Sequence, residues 1–173
     1  MTDPLSLIKL KPAFFLHVEA VPEEPEQIYH NESGSLTLGK IAGGYTKTID
    51  ESYPFDTEIM FGIDNLTSSA SKGSKIQNLN CQLYLKSKAN GGGIHFTYTG
   101  VAEHNDESLA VFSNQKKEVS FTDMYLTMSR TVTLSENNKE DFWIYGKTLV
   151  GKGRFLRTEA AVFAAEYYVY VIE

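Results

Sequence analysis

Hydrophobic and polar side chains alternate along much of this chain with the period of a β-strand. In the first such segment, residues 10–21, the apolar side chains Phe14, Leu16 and Val18 fall on one face, while His17 falls on the other. Pro22 and an acidic stretch follow, and proline cannot continue a hydrogen-bonded ladder. The pattern therefore predicts a strand with one dry face and one mixed face.

The same period returns further along, and glycine, proline and asparagine separate the apolar runs. Further strands are predicted at residues 27–41, 45–49, 58–63, 80–86, 94–100 and 121–134. The clearest pair is a hairpin in which Asn90 and three glycines form the turn, because these residues accept the positive φ angles of tight turns. On its second arm Ile94, Phe96 and Tyr98 share one face.

The end of the chain, residues 143–172, is apolar, aromatic and β-branched at both ends. We interpret it as two strands joined by a loop that contains Gly151-Lys152-Gly153-Arg154. This tetrapeptide is not a phosphate cradle, since it lacks the P-loop spacing and no helix follows it.

Several predicted strands are apolar on both faces, including the last, which only Glu166 interrupts. Burial on two sides favours a closed barrel over an open sheet with one wet face. No window is typical of an amphipathic helix, and the best candidate is a short turn at residues 158–165. We therefore expect an all-β fold, a single antiparallel barrel domain over residues 1–173, with an internal cavity.

Composition narrows the functional classes. The net charge of −6 argues against a nucleic-acid partner, and no run has the roughly 18 apolar residues of a membrane helix. One cysteine and no evident signal peptide favour the cytoplasm. Ten tyrosines and ten phenylalanines suit either a large core or a lined cavity.

Several stretches resemble one known family. The run from Trp143 to Gly153, W-I-Y-G-K-T-L-V-G-K-G, is similar to a W-L-N-x4-V-G-x-G signature, and Glu166 to Tyr170 is similar to an E-Y-x-V-Y final strand. Gly62-Ile63-Asp64 resembles a G-x-D turn, and the central hairpin also fits. The family is one of calycin-like β-barrels classed as domains of unknown function in bacteria and fungi. The resemblance implies a small closed barrel, a cytosolic setting, no required cofactor and no known reaction.

Candidate chemistry is sparse. No H-E-x-x-H or C-x-x-C occurs, so we predict no metal site. Cys81 and His95 lie on the two arms of the hairpin and could form a nucleophile–base pair, although an isolated strand cysteine is more often a core residue.

The residues best able to act in a cavity are Tyr98, Asp64, Arg130 and His17. Arg130 shares a face with apolar residues and would be costly inside unless it meets a carboxylate, for which Asp64 is one partner, or an anionic ligand. For catalysis, Tyr98, Asp64 or His17 would move protons and Arg130 would hold an oxyanion. The predicted ligand-binding residues are Tyr84, Trp143, Phe96 and Tyr145, the last standing where the family usually has Asn.

We thus carry three hypotheses. The first is binding of a small, largely apolar or aromatic molecule inside the barrel. The second is cofactor-free catalysis on such a molecule, as an isomerase, cyclase or dehydratase. The third is a structural or oligomerisation module with a solid core, and a homodimer through an outer apolar face is compatible with all three.

Overall fold

The structure, a computed structural model, describes residues 3–69 and 75–173. Nearly all of the regular structure is β, as the alternating pattern predicts. The strands are β1 (Leu10–Ala20), β2 (Glu26–Asn31), β3 (Gly34–Thr48), β4 (Thr57–Ser69), β5 (Ile76–Ser87), β6 (Gly93–Glu103), β7 (Tyr125–Leu134), β8 (Leu149–Arg157) and β9 (Phe163–Ile172). Helix α1 (Asp106–Phe112) and 3₁₀ helices at Pro4–Ser6 and Lys139–Gly146 complete the elements.

The sheet closes on itself through β1. Leu16 of β1 is in register with Tyr167 of β9 on one side and with Thr46 of β3 on the other, both antiparallel. The remaining strands follow in the order β9-β8-β7-β6-β5-β4-β3, so eight antiparallel strands form the barrel and β2 extends it as a hairpin with β3. The expected closed antiparallel barrel is confirmed.

Large apolar side chains fill one end of the barrel. The rings of Phe14 and Phe55 lie 4.9 Å apart and Phe96 packs against both, with none of the three exposed to solvent. The 3₁₀ helix Lys139–Gly146 closes this end, with Ile144 fully buried. We call this the closed end.

The opposite end is built from the β1–β2 loop, α1 and the β8–β9 turn, and we call it the open end. Helix α1 starts with a capping box, in which the Asn105 side chain accepts from the Ser108 amide and Ser108 Oγ accepts from the Asn105 amide. The sequence pattern missed this helix because it has only seven residues, too few for a helical period to show.

Glycines misled the prediction of strand ends. The runs at residues 27–41 and 45–49 were expected to be separate strands broken at Gly43-Gly44, but β3 continues through both glycines. Gly44 has a φ of +136°, and a Cβ there would lie 2.0 Å from the His17 carbonyl oxygen, so the glycine allows β1 to approach β3. Gly62-Ile63-Asp64, expected as a turn, lies inside β4.

Two further expectations were wrong. Gly151-Lys152-Gly153 was interpreted as a loop but lies within β8, and Trp143 was placed on a strand but belongs to the closing 3₁₀ helix. Part of the loop expected at residues 68–74 falls outside the described residues, and β4 continues to Ser69. Within the described residues, no helix is both long and apolar enough to cross a bilayer.

Candidate functional site

A pocket of about 120 Å³ lies inside the open end of the barrel. Its walls are largely apolar and come from every barrel strand except β7, together with the β1–β2 loop and the end of α1. The apolar wall includes Val18, Ile41, Leu66, Leu79, Phe155 and Ala165. Asp64, Tyr98 and Tyr167 also face it, so a few polar groups converge on an apolar space, which is the usual form of a small-molecule site.

Asp64, Cys81 and Tyr98 form a row across three neighbouring strands. In the register, Asp64 of β4 lies opposite Cys81 of β5, which lies opposite Tyr98 of β6. Cys81 and Tyr98 are buried, at 0% and 3% exposure. The ring of Tyr167, from β9, meets that of Tyr98 edge-on with centroids 5.6 Å apart. Four titratable side chains therefore share one layer of the barrel.

Burial dominates the electrostatics of this layer. It raises the pKa of Asp64 to about 7, against the opposing effect of the Asn80 amide, which donates to Asp64 Oδ1 over 3.1 Å. Burial likewise raises the pKa of Cys81, Tyr98 and Tyr167 well above their ordinary values, and negative charge on Asp64 adds to each rise. Near neutral pH the layer thus contains one carboxyl that can gain or lose a proton beside two hydroxyls that keep theirs.

Two glycines explain how Tyr167 and its neighbours fit. A Cβ at Gly153 of β8 would lie 2.6 Å from ring atoms of Tyr167, so only glycine leaves room for that ring. At Gly62 of β4, a Cβ would lie 2.5 Å from the Gln82 carbonyl oxygen and 2.7 Å from Leu83. These are the glycines of the G-x-G and G-x-D patterns, and in this chain both serve close packing within strands.

Two cationic side chains at the rim of the pocket, Arg157 and Lys40, each have a partner in the structure. Arg157 donates to the carbonyl oxygens of Val111 and Ala161 over 2.9 and 3.2 Å, and also to that of Phe112, which ties the end of α1 to β8. Lys40 Nζ lies 3.5 Å from a carboxylate oxygen of Glu26.

The structure brings together three of the predicted residues. Asp64 and Tyr98 both line the pocket, and Phe96 lies one inward position further along β6, where its ring packs against Tyr98 at 6.4 Å. Phe96 is fully buried among core rings and is not in the pocket wall, so it packs against Tyr98 from the side of the closed end.

His17 and Tyr84 lie on the outer face of the barrel, away from the pocket. The His17 ring nitrogens lie 3.0 Å from Glu166 and 2.9 Å from Glu19, and although burial opposes the charged ring, these two hydrogen bonds raise its pKa. Tyr84 is stacked between Phe61 and His95 at 4.6 and 5.1 Å. The alternation that turns Leu16 and Leu83 inward turns their neighbours outward, so neither predicted role in a cavity is compatible with this placement.

Arg130, Trp143 and Tyr145 belong to the closed end. Arg130 shares the inward face of β7, but its guanidinium donates to the carbonyl oxygens of Ile144 and Lys147 over 2.5 and 2.8 Å, not to Asp64. The Trp143 indole donates to the Pro54 carbonyl oxygen, and the exposed Tyr145 accepts from the Leu134 amide. These residues secure the 3₁₀ helix, and Arg130 cannot hold an oxyanion in the pocket.

The hypothetical Cys81–His95 pair is also corrected. Cys81 faces the interior, whereas His95 stacks on Tyr84 outside, so the wall of the barrel separates them. Among the described residues, no cluster of His, Cys, Asp and Glu could hold a metal ion.

Tyr167 is a polar pocket residue that sequence reasoning missed. It follows Glu166 and precedes Tyr168, and a strand that is apolar on both faces gives no sign of which tyrosine turns inward. Tyr167, Val169 and Val171 alternate along β9 and are all buried. Once one of them is known to face inward, the alternation shows that Tyr167 does so too.

The chain belongs to a family of proteins of unknown function, DUF3237, whose family model matches residues 8–172. A comparison with curated proteins finds no match.

Solved structures share the fold at low sequence identity. A conserved protein of unknown function from Rhodopseudomonas palustris superposes with a TM-score of 0.74 at 14% identity, covering 96% of this chain and 98% of its own. A beta-barrel like protein from Acinetobacter baumannii gives 0.69 at 18% identity, covering 100% and 99%. An enzyme from Penicillium herquei gives 0.57 at 14% identity, covering 100% of both chains.

Proposed function

We propose, for a chain whose family has no assigned function, that the barrel binds a small, largely apolar or aromatic molecule in the pocket at its open end. The observation that carries this proposal is a largely apolar pocket whose lining includes the polar side chains Asp64, Tyr98 and Tyr167. Such convergence is the usual form of a ligand site, whereas a barrel that serves only as a scaffold needs no polar groups inside.

The size of the pocket indicates what would fit. An apolar cavity of about 150 Å³ can hold benzene. The pocket here measures about 120 Å³, so it suits a single small ring, and a larger ligand would extend past the β1–β2 loop.

The test is to fill the pocket. Ala165 lines the wall of the pocket, so Ala165→Phe places a ring where the ligand would lie. We expect single-ring aromatic fragments to bind the unchanged protein in NMR titrations and to bind Ala165→Phe at least tenfold more weakly. Ala42→Phe, the same change at an exposed position of β3, is the control and should leave binding intact. Equal binding to all three proteins would refute the proposal.

A second function, cofactor-free catalysis by proton transfer, is favoured by one observation. The pKa of Asp64, about 7, is that of an effective acid–base group at neutral pH. Tyr98 and Tyr167 would stabilise negative charge developing on a ligand oxygen, the role that Arg130 cannot fill. The solved neighbour from Penicillium herquei is described as an enzyme, which is compatible with catalysis in this fold.

Isomerisation and cyclisation transfer a proton from one atom of the molecule to another, and in dehydration one proton is removed while the departing hydroxyl is protonated and leaves as water. All three therefore fit a single acid–base group without a redox cofactor. Once a ligand is found, Asp64→Asn and Tyr98→Phe separate the two functions. Loss of turnover with binding retained supports an enzyme, and no conversion by the unchanged protein leaves a binding protein.

A further inference from the structure

The carboxyl group of Asp64 has no cation beside it among the residues that the structure describes. Its hydrogen-bond donor is the Asn80 amide, which is neutral. In the described part of the chain, the cations that line the pocket are Arg157, which donates to backbone carbonyls of α1 and the β8–β9 turn, and Lys40, which is exposed at the rim and lies 3.5 Å from Glu26. An ionised Asp64 is therefore an uncompensated charge in an apolar wall, and burying such a charge is costly unless a partner arrives.

The surroundings of Asp64 favour a positive partner. Among the described residues, the titratable and charged groups that line the pocket are Glu23 and Glu24 of the β1–β2 loop, Lys40 of β3, Asp64 of β4, Tyr98 of β6, Arg157 of β8 and Tyr167 of β9. Cys81 of β5 lies opposite Asp64 in the sheet. Arg157 is engaged by carbonyl oxygens and Lys40 is exposed at the rim, so the other described groups in this lining are acidic or neutral. Within the described ranges, an anionic ligand would therefore find no cation beside Asp64.

Aromatic rings form much of the remaining wall. Tyr98 and Tyr167 lie in the layer of Asp64, and Phe155, Phe112 and Phe163 follow towards the mouth. The faces of aromatic rings attract cations, and groups of such rings commonly bind ammonium ions in proteins. A carboxylate within an aromatic wall is complementary to an amine, because the carboxylate supplies the charge and the rings supply the apolar contact.

We propose that the ligand of this pocket is a small amine on an apolar or aromatic body, bound as the ammonium ion with its charge against the Asp64 carboxylate. The proposal rests on the binding function given above and names its ligand class. It differs from a neutral oxygen-containing ligand in one respect: the amine binds when Asp64 has lost its proton, and the neutral acceptor binds when Asp64 has kept it.

A matched pair of probes distinguishes these cases. Benzylamine and benzyl alcohol have the same ring and the same length, and only the amine is charged near neutral pH. We expect benzylamine to bind at least tenfold more tightly than benzyl alcohol in NMR titrations at about pH 7.5, since only the amine forms an ion pair with Asp64. Between about pH 6 and 8 its affinity should rise, because Asp64 loses its proton in this range while alkylamines keep theirs.

Two variants complete the test. Asp64→Asn should remove the preference for benzylamine, whereas Glu58→Gln, which changes an exposed carboxyl on the same strand, should keep it. If Asp64→Asn does not fold, the pH profile of the unchanged protein decides alone.

Equal affinity for the two probes, or benzylamine affinity that falls as the pH rises, overturns the amine assignment while the proposed binding function stands. Failure of both probes to bind at high millimolar concentration overturns both.

Discussion

Asp64 is a carboxyl group whose environment opposes its charge. Desolvation by the pocket wall raises its pKa from 3.8 to about 7, and a single backbone amide is too weak to reverse that. Between pH 3.8 and about pH 7, the native state therefore keeps a proton on Asp64 that the unfolded chain has already released. Linkage then requires the protein to lose stability as the pH rises through this window.

Asp64→Asn should remove that pH dependence. A native state that binds one more proton than the unfolded state loses up to about 1.4 kcal/mol of unfolding free energy per pH unit. In urea denaturation, the free energy of unfolding of Asp64→Asn relative to that of the unchanged protein should rise by about 2–4 kcal/mol between about pH 4.5 and 8. Glu58→Gln is the control and should follow the unchanged protein, and parallel curves for all three would contradict a raised pKa at Asp64.

Gly153 shows how a missing side chain can position another. Gly153→Ala would place a Cβ 2.6 Å from the Tyr167 ring and 2.7 Å from Leu126, inside the barrel where neither can move freely. We expect a loss of about 1–3 kcal/mol of unfolding free energy, the usual cost of overpacking a core. Gly146→Ala, where a Cβ meets nothing within 4 Å, should change stability by less than about 0.5 kcal/mol. Equal losses in chemical denaturation would contradict this account.

At the scale of elements, the 3₁₀ helix Lys139–Gly146 depends on side chains that the sequence suggested for chemistry. Arg130 donates to carbonyl oxygens at and just beyond its C-terminal end, and Trp143 joins it to the β3–β4 connection through Pro54. Unpaired carbonyls at a helix end are commonly satisfied by basic side chains. An inward-facing arginine on an apolar strand looks functional in sequence, and its partners here are backbone groups that no residue pattern reveals.

Arg130→Met tests this structural role. The variant keeps the apolar stem but removes two hydrogen bonds from a charged donor, so we expect a loss of about 1.5–3 kcal/mol in urea denaturation. Ligand affinity at the open end should stay within twofold, because Arg130 does not line the pocket. Lys139→Met, an exposed change in the same helix, should affect neither quantity. A selective loss of ligand affinity would instead support the oxyanion role first predicted for Arg130.

At the scale of the whole molecule, the barrel was predictable because several strands are apolar on both faces and the turns are marked by glycine and proline. The candidate site was predictable only in part. Tyr98 was found because it stands at an inward position of an alternating strand, while His17 and Tyr84 stand one position off that face. Asp64 was named as a carboxylate partner for Arg130 and was expected in a turn, so its place inside β4 was not predicted. Tyr167 was missed in a strand where both faces look alike. Which end stays open depends on Phe14, Phe55 and Phe96 meeting from distant segments, and periodicity carries no information about such meetings.

The two ends of the barrel divide their tasks. The packing of Phe14, Phe55 and Phe96 and the bonds to the 3₁₀ helix all lie at the closed end, while the pocket wall at the open end contributes Val18, Leu66 and Ala165. Selection for a new ligand can therefore change wall residues while the aromatic packing at the closed end stays as it is. Directed evolution of this protein would do best to vary the residues of the open end and to leave the aromatic packing of the closed end unchanged. Sequence divergence among natural relatives should likewise concentrate at the open end.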